Sequence, residues 1–264
     1  MASREPGTAT AQPRLSLRDI TVKFGGLTAL DSVSVDVPAG AVVGIMGPNG
    51  AGKTTLFNVV CGVYKPTSGS MRVDGAAVQP RAHRLTRHGI ARTLQGLGLF
   101  SGQSVLENVV AGLQHDTRHS FVEELFSLPR AIRDEESKKE RAFAVLETLG
   151  IARFAGALPD TLPYAIRKKV SIARALVSEP SLLLLDEPAG GLGHEEIAEL
   201  ATLIREIPGR DCSVVLVEHH VDLVMSVCDR IAVLDFGKLI AEGTPAEIGA
   251  NQAVTEAYLG VDAA

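Results

Sequence analysis

Two hydrophobic rhythms run along this chain. In Val33-Ser34-Val35-Asp36-Val37 apolar and polar residues alternate with period two, which predicts a half-solvated antiparallel strand, and Ile20–Phe24 before the Gly25-Gly26 turn joins it. Ala41–Met46, Leu182–Leu185 and Val214–Val217 are instead nearly unbroken apolar runs, predicting strands buried on both faces. Ile197, Leu200, Leu203, Ile204 and Ile207 recur at helical spacing. In Arg130–Leu149 the same spacing predicts a stripe of Phe143, Leu146 and Leu149, with Gly150 just past the helix end. Ser104 and Glu107 form a capping-box pattern, and from there to about Ser178 the chain reads as helical. Hairpins are expected at Ser70–Val73 before Asp74-Gly75, and at Ile231–Leu234 with Leu239–Ala241 around Phe236-Gly237-Lys238. Two short helices close the chain near Pro245–Ile248 and Ala253–Leu259. The pattern is α/β, interrupted by a helical insert.

A chain of 264 residues, 45% hydrophobic, is ample for one large domain carrying an inserted subdomain. Its 26 Lys and Arg against 31 Asp and Glu give a net charge of −5, which speaks against a general affinity for nucleic acid or anionic lipid. Cys61, Cys212 and Cys228 are far apart with no CxxC, so a reducing compartment and small core residues are expected. No apolar run approaches the ~18–20 residues of a membrane span. Met1–Arg14 has no apolar segment of a secretory signal and reads as a disordered tail, 1–14.

The chemistry sits at the ends of the buried runs. Gly47-Pro48-Asn49-Gly50-Ala51-Gly52-Lys53-Thr54-Thr55 matches G-x-x-x-x-G-K-S/T, directly after one buried strand and opening a helix. Glycines there let backbone N–H groups curl around a phosphate, and the helix adds its positive dipole end. Lys53 is placed for β/γ oxygens and the Thr54 hydroxyl for Mg²⁺. The Leu182–Leu185 run ends in Asp186-Glu187-Pro188: one carboxylate for the water shell of Mg²⁺, the next for a general base. His219 follows the Ser213–Glu218 strand, and parallel strands deliver their ends to one rim, so it is expected beside Lys53 and Asp186, facing the γ-phosphate. His219-His220 makes a poor metal pair, with no third ligand spaced for it. Gln95, ending Ile90–Leu94, is a neutral amide suited to Mg²⁺ or the attacking water.

Together these residues resemble the ATP-binding subunit of an ABC transporter, from about residue 15 to the end. Phe24 falls at the position that stacks on adenine, Gly47–Thr55 matches Walker A, Gln95 the Q-loop, Leu182–Glu187 the Walker B strand and His219 the switch histidine. Phe24-Gly25-Gly26-Leu27, Ile90 to Gln95, Glu218-His219-His220, and the tail from Gly243 through Glu247 to Tyr258-Leu259-Gly260 are similar to the branched-chain (hydrophobic) amino-acid importers. The resemblance implies a P-loop NTPase (RecA-like) core at 15–95 and 179–244 with an antiparallel β subdomain. It also implies an α-helical subdomain at about 96–178 and a C-terminal helical extension at 245–264. ATP and Mg²⁺ are the implied ligands, with Thr54, Gln95 and Asp186 (through water) around the metal and Glu187, His219 and Gln95 in catalysis. The implied partners are permease subunits, a second ATP-binding subunit and, indirectly, a solute-binding protein, at the cytoplasmic face of the plasma (inner) membrane, with no nucleic acid. A short helix of the membrane subunit would dock between the Q-loop and the insert, where Leu97, Leu99 and Phe100 are apolar for a loop. Related amide, urea or lipid transporters, and a nucleotide-binding partner of low hydrolysis, are the alternatives.

One stretch departs from the family. Where a Leu-Ser-Gly-Gly-Gln signature would close the nucleotide site of a head-to-tail partner, this chain has Leu162-Pro163-Tyr164-Ala165-Ile166. Pro163 lacks both the hydroxyl and an N–H, Ala165 replaces a glycine, and Ile166 replaces an amide. Gly190–Gly193, at the D-loop place, lacks the usual terminal Asp or Asn. The resemblance therefore implies a competent site on Lys53 and a weak signature lent to the partner.

Overall fold

The computed structural model describes residues 12–93, 96–116 and 129–259. The unbroken apolar runs become neighbours in one sheet. Strands β3 (Val42–Met46), β6 (Ile90–Arg92), β7 (Leu182–Asp186), β8 (Ser213–Val217) and β9 (Arg230–Asp235) lie parallel, with β10 (Lys238–Gly243) antiparallel at the edge, in the order β10-β9-β3-β8-β7-β6. The pleat divides each run between two cores. Val42, Met46, Leu183, Leu185, Val214 and Leu216 enter one, and Val43, Ile45, Leu182, Leu184, Val215 and Val217 the other. With both faces covered, no position needs to be polar, hence the missing alternation.

Helix α1 (Lys53–Val60) and a second sheet share the latter core. That sheet is antiparallel, β2-β1-β4-β5, from β1 (Leu15–Phe24), β2 (Leu27–Val37), β4 (Ser68–Val73) and β5 (Ala76–Val78). The end of the expected tail is anchored to it: Arg14 donates to Asp74 at 2.8 Å and to Asp211 at 2.9 Å, bridging the β4–β5 turn to the loop before β8. Residues 1–11 lie outside the described residues.

The other core is covered by α2 (Val105–Val110), α3 (Pro129–Thr148), α4 (Tyr164–Leu176), α5 (His194–Glu206) and α6 (Val221–Val227). The chain ends in α7 (Pro245–Gly249) and α8 (Gln252–Leu259). The capping box at α2 forms, with the Glu107 N–H on Ser104 Oγ and the Ser104 N–H on Glu107 Oε2. The α3 stripe differs from expectation. Ala142, Leu146 and Leu149 are buried, while Phe143 is 40% exposed. Each residue rotates the helix by about 100°, so a stripe centred on 142, 146 and 149 turns position 143 outward. The three cysteines are free and buried, and burial pushes their thiols up to about 11 for Cys61 and Cys212 and about 12 for Cys228.

Asn108, fully buried in α2, carries a structural load that hydrophobic patterning does not reveal. Its Oδ1 accepts the Phe100 N–H at 2.7 Å, and the two hydrogens of its Nδ2 are shared among the carbonyls of Phe100, Gln103 and Ser104. The side chain thus folds the 100–104 loop onto the helix. Asn108→Ala is expected to lower the unfolding free energy by about 2 kcal/mol, because buried backbone groups lose their partners. The urea midpoint measures it, and an unchanged midpoint would mean that the loop finds other partners.

Candidate functional site

The glycine-rich loop begins where β3 ends, and its bends exclude side chains at two points. Gly47 has φ 147°, and a Cβ there would collide with the Leu234 carbonyl. Gly52 has φ 102°, with Leu30 Cδ2 and the Ala29 carbonyl 2.8 and 2.9 Å from where its Cβ would stand. Gly52 also starts α1, so no side chain caps that helix, and its first N–H groups are left for an anion. Lys53 folds back over the loop, its Nζ donating to the carbonyls of Gly47 at 2.6 Å and Pro48 at 2.9 Å. Burial lowers the Lys53 ammonium from its ordinary value, against the opposing pull of Glu187. Thr54 is exposed at the mouth of the helix, beside Thr55.

Register brings the other groups to this rim. Val217 of β8 pairs with Ile45 of β3 on one side and with Asp186 of β7 on the other. The residues that follow therefore leave the sheet together. The Glu187 N–H donates to the Val217 carbonyl, and His219 Nδ1 stands 4.0 Å from Glu187 Oε1, both side chains open to solvent. Glu187 has φ 45°, a left-handed turn that costs a non-glycine residue about 1–3 kcal/mol and marks sites where geometry outranks comfort. Burial, reinforced by the Glu187 and Glu218 carboxylates, raises Asp186 above its ordinary value, while Arg92 and Lys168 oppose the shift.

Three participants have roles that motif matching does not assign. Lys168 of α4 donates to the Glu187 carbonyl at 3.2 Å. Glu218 is fully buried, and its two oxygens accept the N–H groups of Ala189, His219 and His220. It also supplies the third ligand atom expected to be missing, since Glu218, His219 and His220 present donors within 4.8 Å of one another. Three of the roughly four lone-pair sites of that carboxylate are nevertheless taken by backbone N–H groups, so little of its acceptor capacity is left for a cation. The third participant is Tyr258.

The remaining predicted residues lie apart from this rim. Phe24 ends β1 in the other sheet, half-exposed and edge-on to Tyr64 at 5.2 Å. Leu162–Ile166 opens α4 with Pro163 as N-cap; Leu162 and Ile166 pack on the core, and Tyr164 covers Gly191. Gln95, with Leu94, lies outside the described residues.

Tyr258 joins the end of the chain to the phosphate loop, its hydroxyl accepting the Gly47 N–H at 2.9 Å. Nothing in the pattern of α8 separates this tyrosine from an ordinary packing residue; only the fold brings positions 211 residues apart together. Tyr258→Phe removes one hydrogen bond worth about 1 kcal/mol, so ATP binding is expected to weaken about fivefold. Titration with a fluorescent ATP analogue measures it, with the melting temperature as control; unchanged affinity would mean that the bond does not shape the loop.

Comparison with known proteins bears directly on this geometry. A family described as ABC transporter matches residues 30–190, and one described as branched-chain amino acid ATP-binding cassette transporter matches residues 238–264. The high-affinity branched-chain amino acid transport ATP-binding protein BraF of Pseudomonas aeruginosa is 38% identical over 95% of this chain and 99% of its own. The ADP conformation of MJ1267, an ATP-binding cassette of an ABC transporter, superposes with TM-score 0.82 at 30% identity, covering 94% of this chain and 99% of that one. A dimeric post-hydrolysis state of the cassette MJ0796, bound to ADP and Pi, superposes with TM-score 0.72 at 26% identity, over 88% and 98%. The chain belongs to the ATP-binding proteins of ABC transporters, within the branched-chain amino acid group.

Proposed function

We propose that this chain binds and hydrolyses ATP to power uptake of branched-chain or other hydrophobic amino acids through separate permease subunits. The observation that carries the ATPase part is the single rim on which Lys53, Asp186, Glu187 and His219 converge. The cargo rests on BraF and on the matched C-terminal segment. None of the described helices is long and apolar enough to cross a membrane, and the permease subunits are proposed to hold the chain at the cytoplasmic face.

Each residue has a role that its chemistry suits. Gly47–Gly52 and the start of α1 cradle phosphates with backbone N–H groups, and Lys53 neutralises β/γ charge. Phe24 offers a half-exposed ring for adenine. Thr54 and Asp186, with Gln95, would hold Mg²⁺, whose charge offsets the developing negative charge of phosphoryl transfer. The donor set fits such a hard cation: it is oxygen-rich, and Asp186 sits half-buried among like charges. Glu187 accepts a proton from the attacking water, and His219, 4.0 Å away, contacts the γ-phosphate.

Pairing with a second ATP-binding subunit follows the precedent of the MJ0796 dimer. In that arrangement Leu162–Ile166 closes the partner's site, and the turning of Ile166 onto the core favours an asymmetric pair in which this chain's own site is the active one. The permease helix would dock in a groove of about 300 Å³ between the Q-loop region and the insert, lined by Arg92, Phe100 and Arg174. Here Leu99 packs on the core rather than facing solvent, and Phe100, 51% exposed, is left as the apolar contact. Arg174 pins this loop by donating to the Gly98 and Leu97 carbonyls.

Isolation of the tagged chain from mild-detergent membranes is expected to recover permease subunits and a second ATPase with a complete signature. Recovery alone, or with nucleic-acid-processing proteins, would overturn the transport reading. In that complex, Glu187→Gln is expected to cut turnover about 100-fold or more while ATP stays bound, the scale of losing a general base; wild-type hydrolysis would remove Glu187 from its role. Ala165→Gly is expected to raise turnover if this chain's signature limits the partner's site, and an unchanged rate would show that it does not.

A further inference from the structure

Glu218 is a fully buried carboxylate, and a charge in that position is costly unless hydrogen-bond donors compensate it. Its donors are specific. Oε1 accepts the Ala189 N–H at 2.7 Å, while Oε2 accepts the N–H groups of His219 at 2.9 Å and His220 at 3.2 Å. Ala189 lies two residues past Glu187, on the loop after β7; His219 and His220 lie on the loop after β8. The carboxylate is therefore a clamp between the two loops that carry Glu187 and His219. His219 Nδ1 also stands 3.7 Å from Glu218 Oε2 and 4.0 Å from Glu187 Oε1, so the imidazole faces both acids.

Chemistry explains why a carboxylate and not an amide. Charge-assisted bonds to three backbone N–H groups need an acceptor on both arms, and a carboxylate offers about four lone-pair sites with no donor. Glutamine has the same shape, but its NH₂ would face at least one of the same N–H groups, donor against donor. An apolar residue would leave all three N–H groups without that partner. The sheet's strand-to-strand bonds hold β7 and β8 together but end at Asp186 and Val217, apart from the Glu187 N–H on the Val217 carbonyl. Beyond that point this side chain takes over the spacing.

We propose that Glu218 is a positioning residue: its buried carboxylate sets the separation and orientation of Glu187 and His219, and it acts on hydrolysis through them. The inference rests on the catalytic roles proposed for those two residues. It also accounts for the acid immediately before the histidine, which the nucleotide chemistry itself does not use.

The test uses the transporter complex isolated through this chain, comparing Glu218→Gln and Glu218→Asp with Glu187→Gln and His219→Ala. Glu218→Gln is expected to lower kcat at least about tenfold, with KM for ATP within about twofold of wild type and the melting temperature lowered by no more than about 5 °C, the scale of one buried N–H losing its acceptor. Glu218→Asp keeps the charge but withdraws it by one methylene, and an intermediate loss of kcat is expected. In a His219→Ala background, Glu218→Gln should cost much less than it does alone, because a positioning residue has little left to position. An unchanged kcat, full additivity with His219→Ala, or a parallel collapse of kcat, KM and melting temperature in both Glu218 variants would overturn the inference. If Glu218→Gln alone fails to fold, the Asp variant decides by the same split. If Glu187→Gln and His219→Ala themselves keep wild-type turnover, the underlying reading fails instead, an outcome distinct from the failure of Glu218 alone.

Discussion

The site depends on the register of three parallel strands. Ile45 and Asp186 both pair with Val217, so β3, β8 and β7 end at one level. Because all three run the same way, the glycine-rich loop, the Glu187 turn and His219 leave the sheet at the same edge. The register is held by the two cores that the strands feed. A slip of one residue would exchange every side chain between faces, sending Leu183 and Leu185 where Leu182 and Leu184 now pack. Packing energy spread over both faces is therefore what places the chemistry.

The rim gathers acidic and basic side chains in equal number. Asp186, Glu187 and Glu218 converge there, against Lys53, Lys168 and Arg92 nearby. The carboxylates survive by different means. Glu218 is buried and held by backbone N–H groups, Glu187 is exposed on a left-handed turn, and Asp186 lies between these extremes. Three environments fit three carboxylates for different tasks. The exposed acid is free to exchange protons with solvent, whereas the buried one keeps a fixed geometry.

Away from the rim, single polar side chains do what a core cannot. Asn108 folds the 100–104 loop onto α2, and Arg174 fixes the carbonyls of Leu97 and Gly98. Arg14 spans from the antiparallel sheet to the loop before β8. Asn108 and Arg174 satisfy irregular backbone that has no ladder partner, whereas Arg14 ties two carboxylates together. The loop facing the groove is held on both sides, which leaves Phe100 presented outward on a stiff support.

Much of this was legible along the chain. Doubly buried strands betray themselves by unbroken apolar runs, and the G-x-x-x-x-G-K-S/T loop must follow such a strand, so β3, β7, β8, the helix opening at Lys53 and the Asp186-Glu187 end were readable from local pattern. Capping at Ser104 was equally local. Less legible was whatever depends on a phase or on distant partners. The α3 stripe was misplaced because Phe143, though apolar, sits one residue off the face chosen by Ala142, a residue too small to register in a hydrophobic pattern. The anchoring of Arg14, the Tyr258 bond to Gly47 and the Glu218 clamp join positions up to 211 residues apart through polar atoms. Periodicity records which face of an element is dry, a property of neighbours in sequence. Which hydroxyl or carboxylate meets which N–H is decided only when the sheet has closed, because hydrogen bonds are directional and short while hydrophobic burial is neither.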